Sequence, residues 1–461
     1  MRKKERKHGA KRISNMKQKT QLAKTALALL MAGAVLTACS NDEDTPVQNK
    51  MEAGKTYNLS VNATKGSTQN NESAARGTRA LSSGEAGINA TWATTEKVYV
   101  KYDNSWFTGE LSPNANAATA HLNGTISGVE VSLPNDLTLQ FPRKNISYKG
   151  QVGTLADIAA NFDYATATAH VNIENSDITA TSADTVTFRN LQAIVKFTLN
   201  DAVGNALNVS WLRVSATNLE QTDSETGDIT ITPSSATNEL FAALSGISDT
   251  KVMLTAKAGD KYYVFVKSGV TFDNSSYHEV AVNMQEIEYP VDLSTVTKTR
   301  YIGSVVGADG KVYPNATAAT DANTTAIAMI AYVGSESNCK HGLAIALTDE
   351  SGTMNQETAR SAATAQAHTA ITDATWRLPT LQDWQYMFIG CGNGEAYSQS
   401  PGEVNYTAFN AKLATVGTAL KRDYYWSSIE DRCPYFNGRT ADLSRTAQTI
   451  YDCNVRLCLA W

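Results

Sequence analysis

Few residues of this 461-residue chain stand at spacings that do chemistry, and those few are cysteines and arginines. The six histidines are scattered, with no HExxH and no pair at metal-ligand spacing, so neither metal nor cofactor is expected. No Walker loop, GxSxG elbow or dinucleotide fingerprint occurs, which sets ordinary hydrolases and nucleotide enzymes aside. Of the six cysteines, Cys39 closes an apolar stretch, while Cys339, Cys391, Cys433, Cys453 and Cys458 crowd the last third of the chain. In an oxidising compartment those five are disulfide candidates with one thiol left over. Spacing does not decide the pairing, and buried free thiols give the same signature. Arg76 and Arg79 sit in Ala74-Ala75-Arg76-Gly77-Thr78-Arg79-Ala80-Leu81. Small, flexible flanks let a backbone enter a protease cleft, so either arginine suits a trypsin-like cut; a solvated loop has the same composition.

The elements around these residues belong to a packed, exported protein. Hydrophobic residues make up 42% and charged residues 18%, enough apolar surface for two to four domains at roughly 100–200 residues each. No run of about 20 apolar residues occurs, so a polytopic membrane protein is excluded. The formal charge is −5, but residues 1–38 hold ten Lys/Arg and one Glu, leaving 30 Lys/Arg against 44 Asp/Glu, or −14, for the rest. So acidic a chain is not expected to bind nucleic acid.

Lys and Arg crowd Arg2 to Lys24, and the apolar stretch Ala26 to Ala38 follows, the layout of an export signal; Met16 offers a start with a shorter basic region. Leu36-Thr37-Ala38-Cys39 resembles the lipobox of bacterial lipoproteins. That resemblance implies cleavage before Cys39, acylation of its thiol and new amine with palmitate-like chains, and an outer-membrane anchor worth about 0.8 kcal/mol per buried CH₂. The acidic run Ser40-Asn41-Asp42-Glu43-Asp44 is similar to surface-export tags on such lipoproteins.

Residues 40–75 are rich in Asn, Thr, Ser, Gly and Ala, and only Tyr57-Asn58-Leu59-Ser60-Val61 alternates as a strand does. From residue 90 to 292 the pattern is β. Val98 to Tyr102 is β-branched and aromatic, and Leu191, Ala193, Val195, Phe197 and Leu199 mark one face of a strand. Val209 to Val214, Val252 to Leu254, Tyr262 to Val266 and Val280 to Met284 continue the series. One helix is expected over Leu155 to Phe162, starting at Thr154. The length predicts two sandwiches dividing near residue 215.

The order and spacing of several segments resemble the fimbrillin family, the subunits of type V pili. They are the lipobox, Thr78-Arg79-Ala80, Trp92 ahead of Lys97-Val98-Tyr99-Val100, Tyr148 to Leu155, Phe162-Asp163-Tyr164 and Phe188 to Phe197. The resemblance implies two transthyretin-like sandwiches. It also implies a lipidated precursor at the outer membrane, a trypsin-like cut best matched by Arg79 with Arg76 second, and loss of a first strand. A strand from another fimbrial subunit then refills the opened sheet edge by β-augmentation.

Residues 296–461 change character. Val305 to Lys311, Ala326 to Val333 and Gly342 to Leu347 lead to an Ala-rich helix over Glu357 to Ala370. A second helix is capped by Thr380 with Asp383 three residues on, lined by Leu381, Trp384 and Phe388, and ended at Gly390. Tyr406, Phe409, Leu413 and Val416 form a third stripe, and strands are expected at Tyr424 to Ser428 and Asn454 to Trp461. Four of seven tryptophans fall here, the signature of a packed core. Trp376-Arg377-Leu378-Pro379, Tyr425-Trp426-Ser427-Ser428 and Val455 to Trp461 resemble a C-type-lectin-like module. Its calcium-binding triplets are absent, and Arg377 and Arg456 suit buried carboxylates as well as a ligand.

The expected organisation is mainly β. A signal at 1–38 and a pro-segment with a removable strand at 39–79 precede sandwiches at 80–215 and 216–295 and an α+β lectin-like module at 296–461. A chain that accepts a strand and ends inside its own last one suits the tip of a fimbrium, where it would meet a host or bacterial surface ligand. The alternative is a free surface lipoprotein that binds a glycan or protein. An enzyme ranks last: the lectin-like fold is shared by formylglycine-generating enzymes, whose two reactive cysteines are spaced as Cys453 and Cys458 are. In a regular strand, however, an odd separation sends the two to opposite faces.

Overall fold

Alternation of apolar and polar residues folds most of the chain into strands, and the computed structural model is accordingly mainly β. It describes residues 50–66, 68, 69, 82–84, 87–173, 179–223, 225–365, 371–392, 397–399, 402–446 and 452–461.

The first domain uses β1 (Thr56–Thr64), β2 (Tyr99–Tyr102), β3 (Thr108–Pro113), β4 (Thr119–Ser127), β5 (Asn135–Phe141), β6 (Ala165–Ile173), β7 (Thr179–Thr181) and β8 (Val186–Thr187). Its hydrogen-bonded order is β2-β5-β6-β7-β1-β4-β3, with β8 also on β1. The sheet rolls over until Val98 and Leu111 exchange two backbone hydrogen bonds of 2.9 and 2.8 Å, which tie its two ends together. A rolled sheet closed this way exposes little unpaired edge. Inside it Trp92, Phe141 and Phe188 meet edge to face, with centroids 5.2–5.7 Å apart.

The second domain contains β9 (Gln192–Asn200), β10 (Trp211–Ala216), β11 (Ile229–Ile231), β12 (Glu239–Ser245), β13 (Ile247–Ala258), β14 (Lys261–Phe272), β15 (Tyr277–Asn283) and β16 (Gln285–Ile287). Two sheets, β12-β9-β15 and β11-β10-β13-β14-β16, pack face to face. The division near residue 215 is corrected here. β9 pairs antiparallel with β12 and parallel with β15, and Ala193, Val195, Phe197 and Leu199 lie in the second core, so the first domain's core ends at Phe188. The connection from β5 to β6 also leaves its own domain: Tyr148, Ile158, Phe162 and Tyr164 cover the second core. The helix expected over Leu155 to Phe162 is one α turn, Leu155–Asp157, capped by Thr154 and relaxed into a π turn, Ile158–Phe162.

The last part is α+β. β17 (Val305–Gly307), β18 (Ala326–Val333), β19 (Gly342–Ala346), β20 (Thr375–Arg377) and β21 (Cys458–Ala460) run in the order β17-β18-β19-β21-β20. Around them pack α1 (Gln356–Ala365), α2 (Leu381–Gly390) and α3 (Thr407–Ala414). At α2 the Thr380 hydroxyl accepts from the Asp383 N–H (2.9 Å) and the Asp383 carboxylate accepts from the Thr380 N–H (2.8 Å), a complete capping box. Two expected strands are shorter than the sequence suggests. Tyr424 to Ser428 makes only isolated pairings, Tyr424 with Tyr435 and Tyr425 with Asn454, and the C-terminal run contracts to β21.

This module is welded to the second domain. Val264 and Ile287 share one apolar cluster with Leu293, Val306, Leu459 and Trp461. Beside the seam the buried Lys412 ammonium reaches both Asp228 oxygens at 2.6 Å. Burial pushes the Asp228 carboxyl up, but the Lys412 and Arg213 charges outweigh it and hold the group below its ordinary range.

Candidate strand-exchange site

The segment TYNLSVNAT alternates without a break, and that alternation places β1. Tyr57, Leu59, Val61 and Ala63 face the first core at 1% exposure or less. The outward side chains pair across the sheet: Ser60 donates to Asn123 (2.7 Å), Asn62 to Thr185 (2.7 Å), and the Thr64 and Thr119 hydroxyls meet at 2.8 Å. Burying Tyr57, Leu59 and Val61 contributes on the order of 5–9 kcal/mol.

The neighbours of β1 are distant in sequence. It runs antiparallel to β4 over its whole length, from Thr56 opposite Ser127 to Thr64 opposite Thr119. On the other side it runs parallel to β7 and β8. It therefore lies between β4 on one side and the β7–β8 pair on the other, and taking it out would leave them facing each other across an empty lane. Both ends are pinned. Ahead of it, Met51 is fully buried, Lys50–Met51 pairs with Val131–Ser132, and the Tyr57 hydroxyl accepts from the Glu52 N–H at 2.8 Å. Behind it, the Trp92 indole donates to the Ala63 carbonyl at 3.0 Å, and Phe188 N–H donates to Thr64 at 3.0 Å. At Gly66 the chain passes so near that a Cβ would lie 1.6 Å from the Phe188 carbonyl oxygen.

Sequence reading missed Lys65. Its ammonium, 2% exposed, binds both Glu96 oxygens at 2.6 and 2.7 Å and the Thr91 carbonyl at 3.3 Å. It also stands 4.6 Å from the ring centroids of both Trp92 and Phe141. The available signal was parity, since 57, 59, 61, 63 and 65 all fall on the inward face of an extended chain.

Cys39, Arg76 and Arg79 lie outside the described residues. In chain order both arginines stand between β1 and Trp92, so a cut at either puts β1 and the rest of its domain on separate polypeptides. The remaining cysteines divide. Cys433 and Cys453 form a disulfide; Cys339, Cys391 and Cys458 are thiols. Burial pushes Cys391 up to about 12, and burial, then the Asp383 charge, raises Cys458 further, so neither is a ready nucleophile at neutral pH. Because Cys453 is bonded to Cys433, it forms no reactive pair with Cys458. Arg377 meets the fully buried Asp383 at 2.9 Å and the fully buried Arg456 meets Asp349 at 2.7 Å, so both guanidiniums serve carboxylates of their own module. Trp384, Trp426 and Trp461 are core residues. Among the described residues no three His, Cys, Asp or Glu side chains gather as a metal site, and no helix is long and apolar enough to cross a membrane.

No protein-family model and no curated protein matches the chain. Among solved structures it is similar to a fimbrial protein from Bacteroides ovatus (12% identity, 88% of this chain and 99% of that one, TM-score 0.24). It is also similar to a fimbrial assembly protein from Parabacteroides distasonis (13% identity, 52% and 94%, TM-score 0.27). A third is the tip fimbrial protein Mfa3 from Porphyromonas gingivalis, with C-terminal truncation (10% identity, 50% and 95%, TM-score 0.25). Scores this low decide nothing about what the chain does; its own residues carry that.

Proposed function

We propose that the protein is a structural and adhesive subunit at the tip of a surface fimbrium. It is exported as a lipoprotein precursor acylated on Cys39, cut after Arg79 or Arg76 by a trypsin-like protease, and assembled by accepting a strand from another subunit. The observation that carries this reading is the place of β1. It lies in mid-sheet between β4 and the β7–β8 pair, on the far side of both arginines from the rest of its domain. Cutting there unties the strand without cutting any described strand. The opened lane would present unpaired backbone groups and apolar pockets, which an extended segment of a neighbouring subunit can cover.

A tip position is supported by β21, which is hydrogen-bonded on both sides, to β19 and β20, with Cys458, Leu459 and Ala460 all buried. Donating it would dismantle its own module. The α+β module, read as lectin-like, is the part left to meet a host or bacterial surface. N-terminal sequencing of the protein from assembled surface fibres tests the reading. A mature start at Ala80 or Gly77 is expected. A blocked, lipidated Cys39 on the functional protein would instead favour a free surface lipoprotein, a reading supported by the way β1 already completes the fold.

A further inference from the structure

A charged cavity lies where the larger sheet of the second domain meets the C-terminal module. Leu212 and Val214 of β10 are buried in the second core, so strand alternation puts Trp211, Arg213 and Ser215 on the opposite face. Trp211 and Arg213 from that face, Arg300 from the turn Thr299–Tyr301 and Lys412 of α3 line one cavity of about 90 Å³. The Arg213 guanidinium stands 5.4 Å from the Trp211 ring centroid. Tyr262 and Tyr289 extend the aromatic wall, with centroids 6.1 Å apart for Trp211 and Tyr262 and 5.7 Å apart for Tyr262 and Tyr289.

Three cations in this lining face a single carboxylate. That carboxylate, Asp228, meets Lys412 through both oxygens at 2.6 Å. The Tyr289 hydroxyl meets Ser304 at 2.6 Å, and the Asn315 amide donates to the Tyr262 hydroxyl at 3.3 Å. The guanidiniums differ: among the described residues neither Arg213 nor Arg300 forms an ion pair or a side-chain hydrogen bond, and the Arg300 Nε is buried without an acceptor. A buried donor on a cation is costly to leave unmatched, so two such groups on one cavity call for an anion.

We propose that this cavity receives the carboxylate end of a small organic acid, with Arg213 and Arg300 as its donors. The volume has room for several water molecules, enough for a carboxylate and the carbons next to it. The planar carboxylate matches the guanidinium fork. A single negative charge also suits a lining that already holds Asp228 better than the double charge of sulfate. The half-buried rings of Trp211, Tyr262 and Tyr289 supply apolar surface for the carbon skeleton. A free carboxylic acid and an acidic sugar offer the same group. No residue of the cavity belongs to the first domain, so the inference does not rest on strand exchange.

Isothermal titration of the full chain with benzoate, D-glucuronate, sulfate and the neutral counterparts benzyl alcohol and D-glucose tests it. At least one carboxylate is expected to bind with a Kd of about 1 mM or tighter, and at least about tenfold more tightly than its neutral counterpart. Benzoate alone would point to a free acid, glucuronate alone to an acidic sugar. Arg213→Met and Arg300→Met, each with circular dichroism intact, should each weaken that binding at least about tenfold. The proposal is overturned if neither carboxylate binds, if sulfate binds more tightly than both, or if both variants bind as the unaltered chain does. Should a variant fail to fold, acid against neutral counterpart on the unaltered chain decides, and equal binding overturns the proposal.

Discussion

Each end of this molecule holds a strand in the middle of a sheet, and the two are held in opposite ways. β1 lies between strands far along the chain, and the segment that follows it carries Arg76 and Arg79. β21 lies between β19 and β20, and the Trp461 carbonyl beyond it accepts from the N–H groups of Lys340, His341 and Gly342 at 2.9, 2.7 and 3.2 Å. The Cys433–Cys453 disulfide and the Arg456–Asp349 pair brace the chain leading into β21. Both strands are held on each side and at their flanks; the difference is that the chain after β1 carries two arginines, whereas the chain before β21 carries a disulfide and a buried ion pair.

That contrast can be broken by mutation. The largest effect is expected from Leu59→Asp, which puts an unpaired charge into the first core. It should cost at least about 4 kcal/mol and unfold the first domain while the second domain and the C-terminal module keep their melting behaviour. Hydrogen exchange resolved by segment would check it, and loss of protection throughout the chain would show that the domains are not separable.

Next in size is Cys433→Ser. Freeing the loop between the bonded cysteines, 20 positions apart, should weaken the C-terminal module by about 2–4 kcal/mol in differential scanning calorimetry and leave the first domain unchanged. An equal shift in both would contradict the separate bracing of β21.

The smallest effect is expected from acid. Asp228 is depressed in the folded protein, so its pair with Lys412 contributes stability in full above the ordinary aspartate range, and that contribution is lost as pH falls from roughly 4 through the lowered value. Limited proteolysis between pH 5 and 2 should therefore open the seam around residues 226–228 and 407–412 more readily than in a Lys412→Met, Asp228→Leu chain, which lacks the titrating pair. Identical pH profiles would remove the pair from the account.

Much of this was legible from the amino acids, and the misses share a cause. The strand core at Tyr57 to Val61, the cap at Thr380 and the strand at Ala326 to Val333 are local patterns that read directly. What β1 pairs with was not legible, since β4 and β7 are remote in sequence. The strand β9 reads correctly as a strand and was assigned to the wrong domain for the same reason: only its partners β12 and β15 decide its core. Cysteine pairing depends on loops meeting in space, so spacing left Cys433 and Cys453 undistinguished from the others. Lys65 was passed over because lysine defaults to the surface; its burial follows from a carboxylate 31 positions on.

The most direct test compares amide exchange across residues 119–127 in the intact chain and in a chain beginning at Ala80. The account predicts strong protection in the first, loss of it in the second, and its return on adding a peptide of residues 50–66. Full protection in the shortened chain with no strand added would contradict it.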